Sequence, residues 1–159
     1  MEIKNTSQTI NFSLFCWNIA NPSFERAAKQ AEWLRKRPED VLVLTEAKQS
    51  KGCVLLERYF QAYGYNVVFP KPEEKEFGVI IVSKHPISSS SFSNYIDFLR
   101  SRVVSIKLSF SSGELEIIGV YVHAVYFIRT IKKITKRIPL EVKLKIRSVF
   151  QIIDEVFGY

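Results

Sequence analysis

Residues Pro38 to Gln49 read PEDVLVLTEAKQ, and the fold turns on how this stretch is read. Val41, Leu42, Val43 and Leu44 form an unbroken apolar run, which reads as a strand covered on both faces. Thr45 and Glu46 follow directly, so the buried strand ends on a carboxylate. A strand of this kind belongs inside a layered sheet, and the question it raises is what the carboxylate does there.

Upstream, TINFSLFCWNIAN (9–21) alternates Ile10, Phe12, Leu14 and Cys16 against Phe15 and Trp17, a second strand apolar on both faces. NPSFERAAKQAEWLRKR (21–37) joins the two as a helix. Asn21 is the expected N-cap, Pro22 the first helical residue, and Phe24, Ala27, Ala28, Ala31 and Leu34 the apolar face. Downstream, SKGCVLLERYFQAY reads as a second helix closed by Gly64, and YNVVFP as a short strand. KPEEKEFG is a charged loop, VIIVSK a strand stopped by Pro86, and SSSSFSNYIDF a serine-rich connection. RVVSIKLSF and ELEIIGVYV form a hairpin around SSG, and PLEVKLKIRSVFQIIDEVF reads as a final helix starting at Pro139. The order β-α-β-α-β-β-β-β-α predicts an α/β (α+β) layer fold in one domain.

The 159 residues carry a net charge of +7, unevenly spread. From Ala124 onward eight basic residues face three acidic ones, so +5 of the excess lies in the last 36 residues. Such a face favours a polyanion, nucleic acid or another phosphate-bearing partner, or else is a solvated helix surface. Two cysteines, Cys16 and Cys53, make no disulfide framework and fit reduced thiols in an intracellular protein. The N-terminus MEIKNTSQTI has no basic stretch leading into an apolar one, so no signal peptide is expected. No apolar run approaches the roughly 18 residues of a membrane span.

Asn18 and Glu46 are the strongest site candidates. Each stands at the C-terminal end of an apolar strand and before a helix, where open α/β sheets bind their ligands. If the two strands are neighbours, an amide oxygen lies beside a carboxylate, a donor set suited to Mg²⁺, which keeps several waters and takes one or two carboxylates plus substrate phosphate. The alternative is an exposed strand end or a helix-capping acid. Arg102, after Ser101, opens RVVSIKL and either meets a phosphate or is a surface charge. Tyr121 and His123, two apart, share a face at the end of their strand. They either contact a phosphate or leaving group, or are a core aromatic and an edge histidine. His85, beside Pro86, reads as a plain loop residue.

Taken in order, five segments resemble the endonuclease/exonuclease/phosphatase superfamily, whose fold is the DNase-I-like and exonuclease-III-like one. LFCWNIAN resembles its first strand, with Asn18 in the asparagine position. RPEDVLVLTEAK resembles its P-D-hydrophobic-Q-E-x-K element, with Glu46 as the metal-binding glutamate. FGVIIVSKHPI, SRVVSIKL and LEIIGVYVHA resemble the next three strands. The resemblance covers about residues 10–123. It implies a DNase-I-like β-sandwich flanked by helices and a metal-dependent phosphodiester hydrolase using Mg²⁺ or Mn²⁺. Glu46 and Asn18 would hold the metal, Tyr121 would act with them, and Arg102 and His123 would contact phosphate. The substrate would be nucleic acid or another phosphoester.

The family's later G-D-x-N and S-D-H segments, which supply the water-activating Asp and His, do not occur in this sequence. Beyond Tyr121 the only Asp is Asp154 and the only His is His123. The expectation is therefore one incomplete domain over 1–159, the N-terminal portion of the fold, with 124–159 a divergent basic helical tail. It would show little or no hydrolysis alone, and a second chain or another copy would cover the exposed sheet. The competing expectation is a non-catalytic domain that binds nucleic acid or a partner through its basic tail.

Overall fold

A computed structural model describes residues 12–90, 92, 100–111 and 113–121. Among these, seven strands and two helices follow in the order β1 (Leu14–Asn18), α1 (Phe24–Arg35), β2 (Val41–Ala47), α2 (Lys51–Ala62), β3 (Asn66–Val68), β4 (Gly78–Ser83), β5 (Ile87–Ser89), β6 (Val103–Phe110) and β7 (Gly113–Val120). The helix expected from Pro139 lies outside the described residues.

One sheet has the order β1-β2-β4-β3, with β1 parallel to β2 and the other pairs antiparallel. The second is the antiparallel β5-β6-β7. The apolar run of β2 divides by strand alternation. Val41 and Val43, with Val79 and Ile81 of β4, meet Val104, Ile106 and Leu108 of β6 and Ile117 of β7 between the sheets. Leu42 and Leu44, with Ile80 and Val82, meet Ala27, Ala31 and Leu34 of α1 and Leu56 and Phe60 of α2. Both faces of β2 are thus covered, which is why its sequence does not alternate. Gly119 lets the sheets come together, since a Cβ there would lie 2.9 Å from Val79 Cγ1 and 3.1 Å from Val43 Cγ1.

Helix α2 begins and ends as its residues dictate. The Ser50 hydroxyl accepts from Cys53 N. At the other end Gly64 adopts a left-handed φ of 80°, and Tyr65 N donates to Phe60 O while Gly64 N donates to Gln61 O. This double closure needs glycine's conformational freedom, and the Tyr65 ring packs on Phe60 at 5.3 Å to seal it.

Helix α1 differs from expectation at its start. Ser23, not Asn21, is the N-cap, its hydroxyl accepting from Arg26 N, and Pro22 precedes the helix. Phe24 becomes the first helical residue and is 54% exposed. Its side chain tilts toward the N-terminus, past Ala27, the first residue of the buried face. The serine-rich connection also contains a short strand, β5, which pairs with β6. Serine has little β preference of its own, so only the partner strand selects that conformation.

Candidate active site at the ends of β1 and β2

The register pairs Asn18 with Thr45, so β1 ends beside the last residues of β2. The chain beyond stays attached, with Ile19 N donating to Thr45 O and Asn21 N to Glu46 O, at 3.0 and 2.9 Å. Asn18 is exposed. Its Oδ1 accepts from Ala20 N at 2.9 Å, which leaves one lone pair for another partner.

Glu46 interrupts the β2–β4 pairing. The register shifts between Thr45 and Ala47, making Glu46 the extra residue of a β-bulge, with φ at +57°. A bulge bends the strand and re-aims a side chain. Parity confirms the flip: by alternation Ala47 belongs with Val41 and Val43, yet it packs in the helix-side core. Ala20 and Asn21, directly opposite, also have positive φ, 50° and 38°. Three left-handed non-glycine residues therefore cluster at one place, each an unfavourable conformation held by its surroundings. Those surroundings are visible. The Arg26 guanidinium of α1 donates to the carbonyls of Ile19 and Ala20, and Gln30 Nε2 to that of Ile19. The Cys53 thiol of α2 donates to Asn21 Oδ1.

The second sheet brings Arg102 and Tyr121 to the same end. Arg102 lies just before β6 and Tyr121 just after β7, joined by a 2.7 Å bond from Tyr121 N to Arg102 O. Tyr121 is 8% exposed and belongs to the core between the sheets, a core aromatic at the same end as the candidate site. Burial pushes its phenol above the usual range. The Glu46 carboxylate adds to the rise and Arg102 opposes it, which puts all three groups within electrostatic reach. His123 lies outside the described residues, as does the basic tail.

Several residues at this end were not anticipated. Arg102 Nη2 donates to Glu76 Oε1 at 3.2 Å, and Ser101 Oγ donates to Glu76 Oε2 at 3.3 Å. Lys48 Nζ sits 4.4 Å from the centre of the Phe77 ring, which in turn lies 5.6 Å from Tyr121. Glu76 was illegible among the acids of PEEKEF, because nothing local distinguishes it from Glu73 and Glu74. Lys48 stood in plain view, two residues after Glu46.

The donor set suits a hydrated hard cation. Ion pairs of the described residues use Glu39, Glu57, Asp40, Glu76 and Glu114, leaving the Glu46 carboxylate outside every one. No group of three or more His, Cys, Asp or Glu side chains converges among the described residues. One carboxylate and one amide oxygen fit Mg²⁺, whose other positions are filled by water and phosphate, and do not fit a closed structural zinc site.

A two-sheet α/β domain whose first parallel strands end on an asparagine and a bulged glutamate has the layout of a DNase-I-like hydrolase. The chain belongs to the Endonuclease/Exonuclease/phosphatase family, whose pattern it matches over residues 15–139. It is accordingly a nuclease- or phosphatase-type hydrolase domain. No curated protein matches the sequence. Among the described residues no helix is long and apolar enough to cross a membrane.

Proposed function

We propose that the chain is a divalent-cation-dependent phosphodiester hydrolase domain acting on nucleic acid or a related phosphoester. The observation that carries this reading is Glu46: a carboxylate without an ion-pair partner among the described residues, on a β-bulge next to Thr45, the register partner of Asn18, and near enough to Tyr121 to act on its phenol electrostatically. In this reading Glu46 and Asn18 hold Mg²⁺ or Mn²⁺. When bound, the cation would polarise the phosphoester as a Lewis acid. Arg102 supplies positive charge and Tyr121 a phenolic proton, both placed where negative charge gathers on phosphate oxygens. Burial favours the protonated phenol, so Tyr121 acts as a hydrogen-bond donor and not as a base.

The water-activating G-D-x-N and S-D-H segments are not in this sequence. General-base catalysis contributes about 10²- to 10⁴-fold, so we propose that turnover by the 159-residue chain alone is weak. That same feature, with the net charge of +7, favours a second reading: a domain that binds nucleic acid without cleaving it. Charge reversal at Lys143, Lys145 and Arg147 would then abolish salt-sensitive binding while Glu46→Gln left it intact. The unpaired Cys16 and Cys53 support an intracellular setting. Leu14, 45% exposed on the outermost strand of its sheet among the described residues, supports coverage of that edge by a second chain or another copy.

Titration of Mn²⁺ into the folded chain, read by calorimetry, tests the metal reading. Wild type is expected to bind, and Glu46→Gln to weaken binding by at least about 100-fold, the top of the range that loss of a mere outer-shell partner costs a metal site. A folded wild-type chain that binds neither Mn²⁺ nor Mg²⁺ overturns it. Nicking of supercoiled plasmid with Mg²⁺ separates the two readings, because only the hydrolase reading expects any Glu46-dependent product.

A further inference from the structure

We propose that Glu76 is a positioning residue for Arg102, holding the guanidinium by Nη2 so that its other N–H groups are set toward a substrate phosphate; this rests on the phosphodiester reading above. The contact between the two is single-pointed. Glu76 Oε1 takes Arg102 Nη2 at 3.2 Å, while Oε2 is given to Ser101 Oγ at 3.3 Å. A carboxylate that pairs with arginine through both oxygens occupies a whole edge of the fork. Here it occupies one nitrogen and leaves the rest.

What is left is specific. Arg102 Nε is buried and has no hydrogen-bond partner among the described residues. Buried donors are seldom left unmatched, so this Nε–H calls for an acceptor that the described residues do not supply. Nη2 carries two N–H groups, one on the edge it shares with Nε and one on the edge it shares with Nη1, so a single contact to Glu76 leaves the fork with donors for phosphate oxygens.

Glu76 is itself held. Its N–H donates to Glu73 O at 2.9 Å, turning the loop before β4, and Ser101 O accepts from Val79 N at 2.8 Å. Carboxylate, hydroxyl and guanidinium are thus anchored to β4 on one side and to the start of β6 on the other. A long arginine side chain that would otherwise sample many rotamers is fixed beside Tyr121, so less freedom is lost when phosphate binds. A competing arrangement, in which Glu76 occupies the anion's place and must be displaced, predicts the opposite sign for its removal.

The test is a titration of the full ¹⁵N-labelled chain with diethyl phosphate, a phosphodiester monoanion, followed at the arginine Nε–Hε signals. Arg102→Lys identifies the Arg102 signal by its loss. In wild type that signal should shift and saturate. In Glu76→Ala the apparent affinity should fall by about tenfold, the scale of one charge-assisted hydrogen bond, and Glu76→Gln, which keeps an acceptor oxygen, should recover most of it. If Glu76→Ala does not fold, Glu76→Asp, which withdraws the carboxylate by one methylene, is read instead and should also weaken binding. Unchanged affinity in a folded Glu76 variant lacking the contact overturns the positioning role. Tighter binding overturns it in favour of displacement. A wild-type Arg102 signal that ignores the probe overturns the inference at Arg102 itself, while the Mn²⁺ titration of Glu46 still reads the metal site independently.

Discussion

Strand β2 has a carboxylate near each end, and the two lead opposite lives. Asp40, just before the strand, is saturated. Its Oδ2 accepts from Ser13 N at 2.8 Å and from Ser13 Oγ at 2.7 Å, and its Oδ1 lies 2.9 Å from His85 Nε2. These bonds tie the start of β1, the start of β2 and the turn after β4 together. Glu46, at the other end, makes no ion pair among the described residues and sits on a left-handed backbone. One end of the sandwich uses a carboxylate to close the structure. The other holds one in reserve at a conformational cost. An acid that satisfies its neighbours is structural, whereas one that strains the backbone and remains unpaired is a candidate for binding something else.

The largest expected effect separates the two by metal. Glu46→Gln should cost Mn²⁺ affinity at least about 100-fold, and Asp40→Asn should leave it unchanged. Equal losses in both would show that the metal effect is indirect and would break the contrast. Next comes stability. Asp40→Ala removes the acceptor of the Ser13 donors and of His85, and chemical denaturation should show a loss of about 1–2 kcal/mol, held to that size because the site is partly exposed.

Glu46→Gly should move the other way. It relieves a left-handed residue, and the unfolding free energy from chemical denaturation should rise by about 0.5–1 kcal/mol while metal binding disappears, the usual opposition of stability and function. A destabilised Glu46→Gly chain would mean that the carboxylate is structural after all. The last contrast is in pH. The Ser13 hydroxyl first, then the bond to His85, lower the Asp40 carboxyl from 3.8 to about 2. Its folded pKa lies below its unfolded one, so its contribution is complete above about pH 4 and is lost as pH falls toward about 2. The stability difference between wild type and Asp40→Asn should therefore shrink as pH falls across that window.

Much of this contrast was legible before any coordinates. The runs at 41–44 and 79–82 lack polar residues because both of their faces are covered, and a continuous apolar run says so directly. Asn18 and Glu46 could be placed at strand ends, since the turn signals after them are local. The cap of α1 was misplaced by two residues because Asn21 and Ser23 are both good caps by composition. What decided between them was the tie of Asn21 N to Glu46 O, a contact with another strand.

The sequence by itself determined the layers, the two helices and the ends at which chemistry is possible, because hydrophobic periodicity and turn residues are properties of short windows. The tertiary structure alone decided what each charged group does there. The bulge that turns Glu46 needs the β2–β4 register. The Asp40–His85 pair spans 45 residues, and Glu76 reaches Arg102 across 26. Partners so far apart leave no periodic trace in the chain, so their pairing is settled only when packing brings the strands together.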